Sequence, residues 1–188
     1  MRTLTVAILL TGVLSVSTNA DDQGDQEAVL IMQAYQSIAS EEAPPEEDVY
    51  GCEASWTNFC PAKPNSTGET GHISVSGSMI VSENNTSLHA DNLPVGRFGM
   101  FIYGPNPGQL PFGDGILCIS PFNPGVLRLG TPQLTTAEGT AFFAIDFNDL
   151  PDGGQILGED VWFFQFMHRD LGDAGFNLTD AAEIHFCP

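Results

Sequence analysis

The stretch Gly71-His72-Ile73-Ser74-Val75-Ser76-Gly77-Ser78-Met79-Ile80-Val81 alternates, with Ile73, Val75, Met79 and Val81 on one face and Ser74, Ser76 and Ser78 on the other. A period of two is that of a strand with one dry and one wet side. Working outward, further candidate strands run from Leu88 to Leu93, Arg97 to Tyr103, Gly115 to Ile119, Val126 to Leu129, Gly139 to Phe147, Val161 to Arg169 and Ala182 to Cys187. Between them stand Asn84-Asn85, Gly104-Pro105-Asn106-Pro107-Gly108, Phe112-Gly113-Asp114-Gly115, Asn123-Pro124-Gly125 and Pro151-Asp152-Gly153-Gly154. These are turn formers, because Gly tolerates positive φ, Pro pre-sets φ and Asn or Asp bonds its own backbone. No long helical period follows residue 50. About eight short strands at this spacing predict an all-β fold, a two-sheet β-sandwich of jelly-roll or Greek-key type.

Two segments are richer than a half-wet strand requires. Ala141-Phe142-Phe143-Ala144-Ile145 and Val161-Trp162-Phe163-Phe164-Gln165-Phe166-Met167 carry large apolar groups on both faces, which predicts central strands with both faces covered. A second reading is an exposed aromatic platform for a sugar or a protein partner. Its candidate ligand-facing rings are Trp56, Tyr103, Trp162 and Phe164.

A chain of 188 residues holds one ordinary domain core. Its 24 Asp plus Glu against 5 Lys plus Arg, a net charge of -19, argue against a basic footprint and so against nucleic acid as a partner. Arg2, the apolar run from Leu4 to Val16 and the small residues Thr18-Asn19-Ala20 before Asp21 read as a signal peptide over 1–20. No later stretch reaches about 18 uninterrupted apolar residues, so the exported product is expected not to span a membrane. Residues 21–50 hold nine acids, no Lys or Arg and a Pro44-Pro45 break. They read as an acidic, largely disordered leader, with Leu30, Ile31, Ala34, Tyr35 and Ile38 marking one face of a marginal short helix at 28–39. The β domain is expected over 51–188.

Cys52, Cys60, Cys118 and Cys187 are an even set in an exported chain, read as two disulfides with three pairings open. Their spacings of 8, 58 and 69 residues contain no Cys-x-x-Cys knuckle or redox pair. Nothing forms a catalytic constellation: there is no Gly-x-Ser-x-Gly elbow and no His-Glu-x-x-His, and His72, His89, His168 and His185 stand singly. Only His168 and His185, on late strands, are candidates to approach each other. Structural calcium has two candidate loops, Asp146, Asp149 and Asp152 in one and Asp170, Asp173 and Asp180 in the other, neither of EF-hand pattern. With so few cations among so many acids, Arg169 is expected to clamp Asp170 or Asp180 and tie the closing loop to the sheet. Asn65, Asn84, Asn85 and Asn177 open Asn-x-Ser/Thr sequons.

Cys60-Pro61-Ala62-Lys63-Pro64-Asn65-Ser66-Thr67-Gly68, Phe101-Ile102-Tyr103-Gly104-Pro105-Asn106, Pro111-Phe112-Gly113-Asp114-Gly115-Ile116-Leu117-Cys118, Phe164-Gln165-Phe166-Met167-His168-Arg169-Asp170, Gly175-Phe176-Asn177-Leu178-Thr179-Asp180 and Phe186-Cys187-Pro188 follow in that order. The ordered set, over roughly residues 58 to 188, resembles an uncharacterised secreted β-rich domain common in planctomycete-type bacteria, often C-terminal in longer exported proteins. Where that family tends to show Trp-Tyr-Arg-Asp, this chain has Met167-His168-Arg169-Asp170. The resemblance implies export, a bacterial source in which most of the sequons are unmodified turn residues, and pairing of Cys60 with Cys118 and of Cys52 with Cys187. It implies no activity and no catalytic residue. The expectation is therefore a non-catalytic extracellular or cell-surface module, structural or adhesive, without a cofactor. Its expected partner is a surface or matrix protein or a polysaccharide, and a carbohydrate-binding module with an aromatic platform is the alternative.

Overall fold

The computed structural model describes residues 51–151 and 154–188. The signal-peptide reading at 1–20, the leader at 21–50 with its helix at 28–39, and Asp152 lie outside the described residues. Ten strands form: β1 (Ser55–Phe59), β2 (His72–Gly77), β3 (Thr86–Asp91), β4 (Phe98–Gly104), β5 (Pro107–Phe112), β6 (Gly115–Ile119), β7 (Leu127–Leu134), β8 (Ala141–Ala144), β9 (Val161–Arg169) and β10 (Phe176–His185). One 3-10 turn covers Val81–Glu83. The fold is all-β, in three antiparallel sheets ordered β1-β10-β9-β4-β7, β2-β3-β8 and β5-β6.

Period-two alternation explains where the core lies. Ile73 and Val75 of β2, Leu88 and Ala90 of β3 and Ala141 of β8 join Phe101, Tyr103, Trp162, Phe164, Phe166, Ala182 and Ile184 of the five-stranded sheet in one buried cluster. The opposite parity of the large sheet, Met100, Ile102, Phe163 and Leu178, meets Leu117 and Ile119 of β6 in a second. So β9 is apolar on both faces because both are covered, one by the three-stranded sheet and the other by the β5-β6 ribbon. The segment at 141–145 behaves differently. Its strand β8 is the edge of the three-stranded sheet, and the ring of Phe142 is 52% exposed.

Side chains satisfy edges that strands leave open. Ile73 on the free edge of β2 donates its N–H to Asp180 Oδ1 at 2.7 Å, and its carbonyl accepts from Asn58 Nδ2 at 2.7 Å. Asn58 and Asp180 belong to β1 and β10, so the two sheets are stitched along one margin by hydrogen bonds that also blunt an exposed template. At the other margin Gln133 Nε2 donates to the Phe142 carbonyl at 3.1 Å. Asp180 reaches β2 because β10 carries a bulge between Leu178 and Ala181. Gly130 in β7 shows how closely the sheets meet: at φ +62° it lies under Phe143, whose ring is 2.5 Å from where a Cβ would sit.

Cys52 pairs with Cys187 and Cys60 with Cys118, the pairing the resemblance implies. Disulfides of this kind belong to an oxidising, extracellular or periplasmic environment. No described helix is long and apolar enough to cross a membrane.

Candidate functional site

The aromatic platform expected at Trp56, Tyr103, Trp162 and Phe164 is not on the surface. Tyr103, Trp162 and Phe164 are buried, and Trp56 is half-buried against the same core. Tyr103 stacks on Phe164 at 5.8 Å and lies 5.3 Å from Trp162. Its hydroxyl donates to the Gly154 carbonyl at 2.9 Å, and burial pushes its pKa up to about 12. These rings face inward because 101, 103, 162, 164 and 166 share the parity that points at the three-stranded sheet.

The clamp by Arg169 is also corrected. Arg169 is exposed, and the carboxylate contacts of this kind among the described residues are made by histidines, His72 with Asp180 at 2.8 Å and His185 with Glu183 at 2.9 Å. Asp170 instead accepts from the N–H of Ser66 at 3.1 Å, the N–H of Leu171 at 2.8 Å and Asn177 Nδ2 at 3.4 Å. Burial by itself raises the Asp170 carboxyl, but bonds from Ser66, Leu171 and Asn177 outweigh it and hold the pKa below the usual carboxylate range. Asp180 goes the other way. Burial raises it, the Ile73 N–H and His72 only partly restore it, and the charge of Asp91 adds to the rise. The loop clamp exists, but backbone amides and amide side chains make it.

The same geometry shows what the described calcium-loop carboxylates and two of the sequon asparagines bond to, Asp152 lying outside the described residues. Asp146 is occupied by Asn84 Nδ2 at 3.0 Å and the N–H of Asn148 at 3.0 Å, while Asp170 and Asp180 serve separate tasks. No three His, Cys, Asp or Glu side chains among the described residues are grouped to hold a metal ion. Asn65 and Asn177 are buried, with their amides donating to the carbonyls of Asn92 at 2.7 Å and Pro64 at 3.0 Å. Neither amide is accessible to a glycosyl group in the folded chain. His168 lies beside Asn177 and His185 beside Val161, at opposite ends of the β9-β10 pair, so these two histidines do not meet.

His168 is the one buried histidine. Its Nδ1 faces the Arg169 carbonyl at 3.2 Å, its ring stacks on Phe166 at 6.3 Å, and its Nε2 is buried without a hydrogen-bond partner. Burial lowers its pKa below 6.5, and the Arg169 carbonyl and Asp170 only partly offset that. The folded chain therefore refuses a proton that the unfolded chain accepts, and stability present above about pH 6.5 declines as pH falls through that value. One proton sets the limit, about 1.4 kcal/mol per pH unit. Urea unfolding of the wild type between pH 7.5 and 5.5 is expected to show this decline, and His168→Phe is expected to flatten it. An unchanged slope in the variant would assign the acid response to other groups.

A polar surface remains on the outer face of the three-stranded sheet. Pairing aligns it in rows: His72 with Asp91, Ser74 with His89 and then Phe142, Ser76 with Ser87 and then Ala144. Ser74, Ser76, His89, Asp91, Thr140 and Phe142 line an open depression of about 500 Å³. Ser76 Oγ lies 2.7 Å from His89 Nε2, and Phe142 packs 5.0 Å from the His89 ring. A second hollow, of about 450 Å³, is lined by residues that include Gly71, His72, Asn92 and Asp180. The Ser76–His89 pair lacks the third group of a nucleophilic triad, since among the described residues no carboxylate is hydrogen-bonded to His89. Ser76 also stands on a regular paired strand rather than a sharp turn. The surface offers hydroxyls, imidazoles, one carboxylate and one ring. The Ser74 and Ser76 alternation marked this side as wet in the sequence, whereas His89, Asp91 and Phe142 join it only through strand register. Comparison with protein-family models, with curated proteins and with solved structures finds no match for the chain.

Proposed function

We propose that the protein is an exported, non-catalytic extracellular or cell-surface module of structural or adhesive type, its sheets arranged as a sandwich of jelly-roll or Greek-key kind. The sandwich reading rests on the cluster shared by the five- and three-stranded sheets. Export rests on the 1–20 pattern, the resemblance to a planctomycete-type secreted domain, and the two disulfides. One observation carries the non-catalytic reading: the buried amide and carboxylate side chains are spent on architecture. Asn65, Gln165, Asp170 and Asn177 are each bonded chiefly to backbone groups. Ser76 and His89 meet at 2.7 Å with Asp91 on the same face, but no carboxylate among the described residues is hydrogen-bonded to His89, so the pair has no third group to orient it. The acidic balance excludes nucleic acid from this reading and leaves proteins or polysaccharides as partners.

The test is turnover. Purified chain assayed against a broad set of polysaccharides and esters is expected to release no product above a buffer control. Reproducible turnover that vanishes in His89→Ala or Asp180→Asn, with circular dichroism unchanged, would overturn the reading.

A further inference from the structure

We propose that the outer face of the three-stranded sheet binds a neutral polysaccharide, with Phe142 as the stacking ring and Ser74, Ser76, His89 and Asp91 as its hydrogen-bonding partners. The inference rests on the non-catalytic reading above and gives that module its ligand class.

The first argument is that Phe142 lies outside the core. On β8 the core side is served by Ala141 and Phe143, and Phe142 points outward with 52% of its surface exposed. A solvated edge strand would ordinarily place a polar side chain there. Its flanks are also specific. Across the strand lies His89, packed 5.0 Å away, and beyond that Ser74, so one ring stands in a row of hydrogen-bonding groups.

The second argument is fit. Small hydroxyls at 74, 76 and 87 keep the face low and broad, and three rows of residues on three strands span roughly 14 Å by 10 Å. That is an open bed for about two or three pyranose rings of a chain rather than a closed hole for a monosaccharide. A pyranose has one apolar face of C–H groups and an equatorial rim of hydroxyls, and it is matched by a ring beside donors and acceptors. His72 contributes to the same face: Asp180 holds its Nδ1 at 2.8 Å, which fixes the imidazole and leaves Nε2 for the ligand.

The third argument excludes rival occupants by charge and chemistry. Asp91 lines the bed, none of Lys63, Arg97, Arg128 or Arg169 does, and the chain carries -19 overall. Sulfated or uronic-acid polymers are repelled by such a surface. A protein partner wants a buried core of several large apolar groups. That description suits Val95, Phe98 and Leu134, where Phe98 and Leu134 face each other across β4 and β7, better than a bed with a single ring.

Affinity electrophoresis of the full chain, in gels containing hydroxyethylcellulose, xylan, galactomannan or pullulan, is the test. At least one of these neutral polymers is expected to retard the protein, whereas alginate and polygalacturonate are not. Phe142→Ala is expected to weaken that retardation tenfold or more, Phe142→Tyr to keep it, and His89→Ala to weaken it by a smaller factor. Phe122→Ala, at a ring 74% exposed elsewhere on the chain, is expected to change nothing. Circular dichroism and melting of each variant show whether it is folded, and retention by Phe142→Tyr separates a binding role from a packing one. No retardation by any neutral polymer, retardation indifferent to Phe142→Ala, or preference for the anionic polymers would overturn the proposal. Reducing ends measured in the same polymers separate the two readings: their release sinks the non-catalytic reading while binding at Phe142 stands, and silence on both counts sinks only this inference.

Discussion

Gln165→Leu is expected to destabilise the domain by about 3 to 5 kcal/mol, although leucine is close in volume and the site is fully buried. Gln165 projects from β9 toward the β5-β6 ribbon. Its Oε1 accepts from the Cys118 N–H at 3.0 Å, and its Nε2 donates to the carbonyls of Ile116 at 2.9 Å and Thr179 at 2.7 Å. The N–H of residue 118 and the carbonyl of 116 lie on the same edge of β6, so one carboxamide pairs with that edge as a neighbouring strand would. The Thr179 carbonyl is available because the bulge in β10 takes it out of the ladder. Leucine would leave three backbone groups without partners in an apolar layer, each costing about 1 to 3 kcal/mol, and only part of that returns as apolar contact. Denaturant unfolding measures the loss, and amide exchange at Cys118 localises it to β6. Gln133→Leu, at a half-exposed margin, is the comparison and is expected to cost about 1 kcal/mol or less. A loss under 1 kcal/mol for Gln165→Leu would mean that water or a shifted ribbon satisfies those groups.

Removing a disulfide is expected to cost as much. The chain-entropy model assigns roughly 4 kcal/mol to the Cys60–Cys118 bridge, which closes 58 residues, and roughly 5 kcal/mol to Cys52–Cys187, which closes 135. Domains of this size hold about 5 to 15 kcal/mol in all, so the double replacement Cys52→Ala with Cys187→Ala leaves a protein close to its threshold, and reduction of both bridges unfolds it. The two bridges differ in surroundings. Cys118 is buried under Gln165, while Cys52 is exposed, so mild reductant is expected to open Cys52–Cys187 first. Thiol labelling with peptide mapping at increasing reductant gives the order, and urea unfolding of each double variant gives the cost. Loss of less than 1 kcal/mol in both variants would show that the unfolded chain is already confined without its bridges.

Much of the fold was legible wherever a strand is dense in apolar groups and bounded by turn formers. Gly115–Ile119 and Val161–Arg169 have the bounds that the sequence predicts. β5 was hidden because Pro107 falls in a stretch that reads as a turn and Pro111 removes a ladder donor, yet Pro is tolerated in a two-stranded ribbon whose outer edge needs no donor. β1 was hidden because only Trp56 and Phe59 are apolar in an otherwise polar edge strand. The first half of β10 was hidden for a subtler reason. Asn177, Thr179 and Asp180 look like loop and calcium chemistry in sequence, but the structure buries Asn177 and Thr179 outright and spends all three on neighbouring backbone. The outer face of the three-stranded sheet was half legible, since alternation shows which side of β2 is wet and only pairing shows that Phe142 shares that face.

Cys52 and Cys187 stand at the two margins of the described domain, and one covalent bond joins them. A pull exerted through the chain on the N-terminal side of residue 52 and the C-terminal side of residue 187 therefore passes from one segment to the other through sulfur. The ten strands lie inside that closed loop and carry none of the load. While the bridge is oxidised, force applied at residues 52 and 187 does not lengthen the segment between them. Reduction turns the same residues into a spring that unravels from its first and last strands, β1 and β10, which are paired neighbours at one edge of the large sheet.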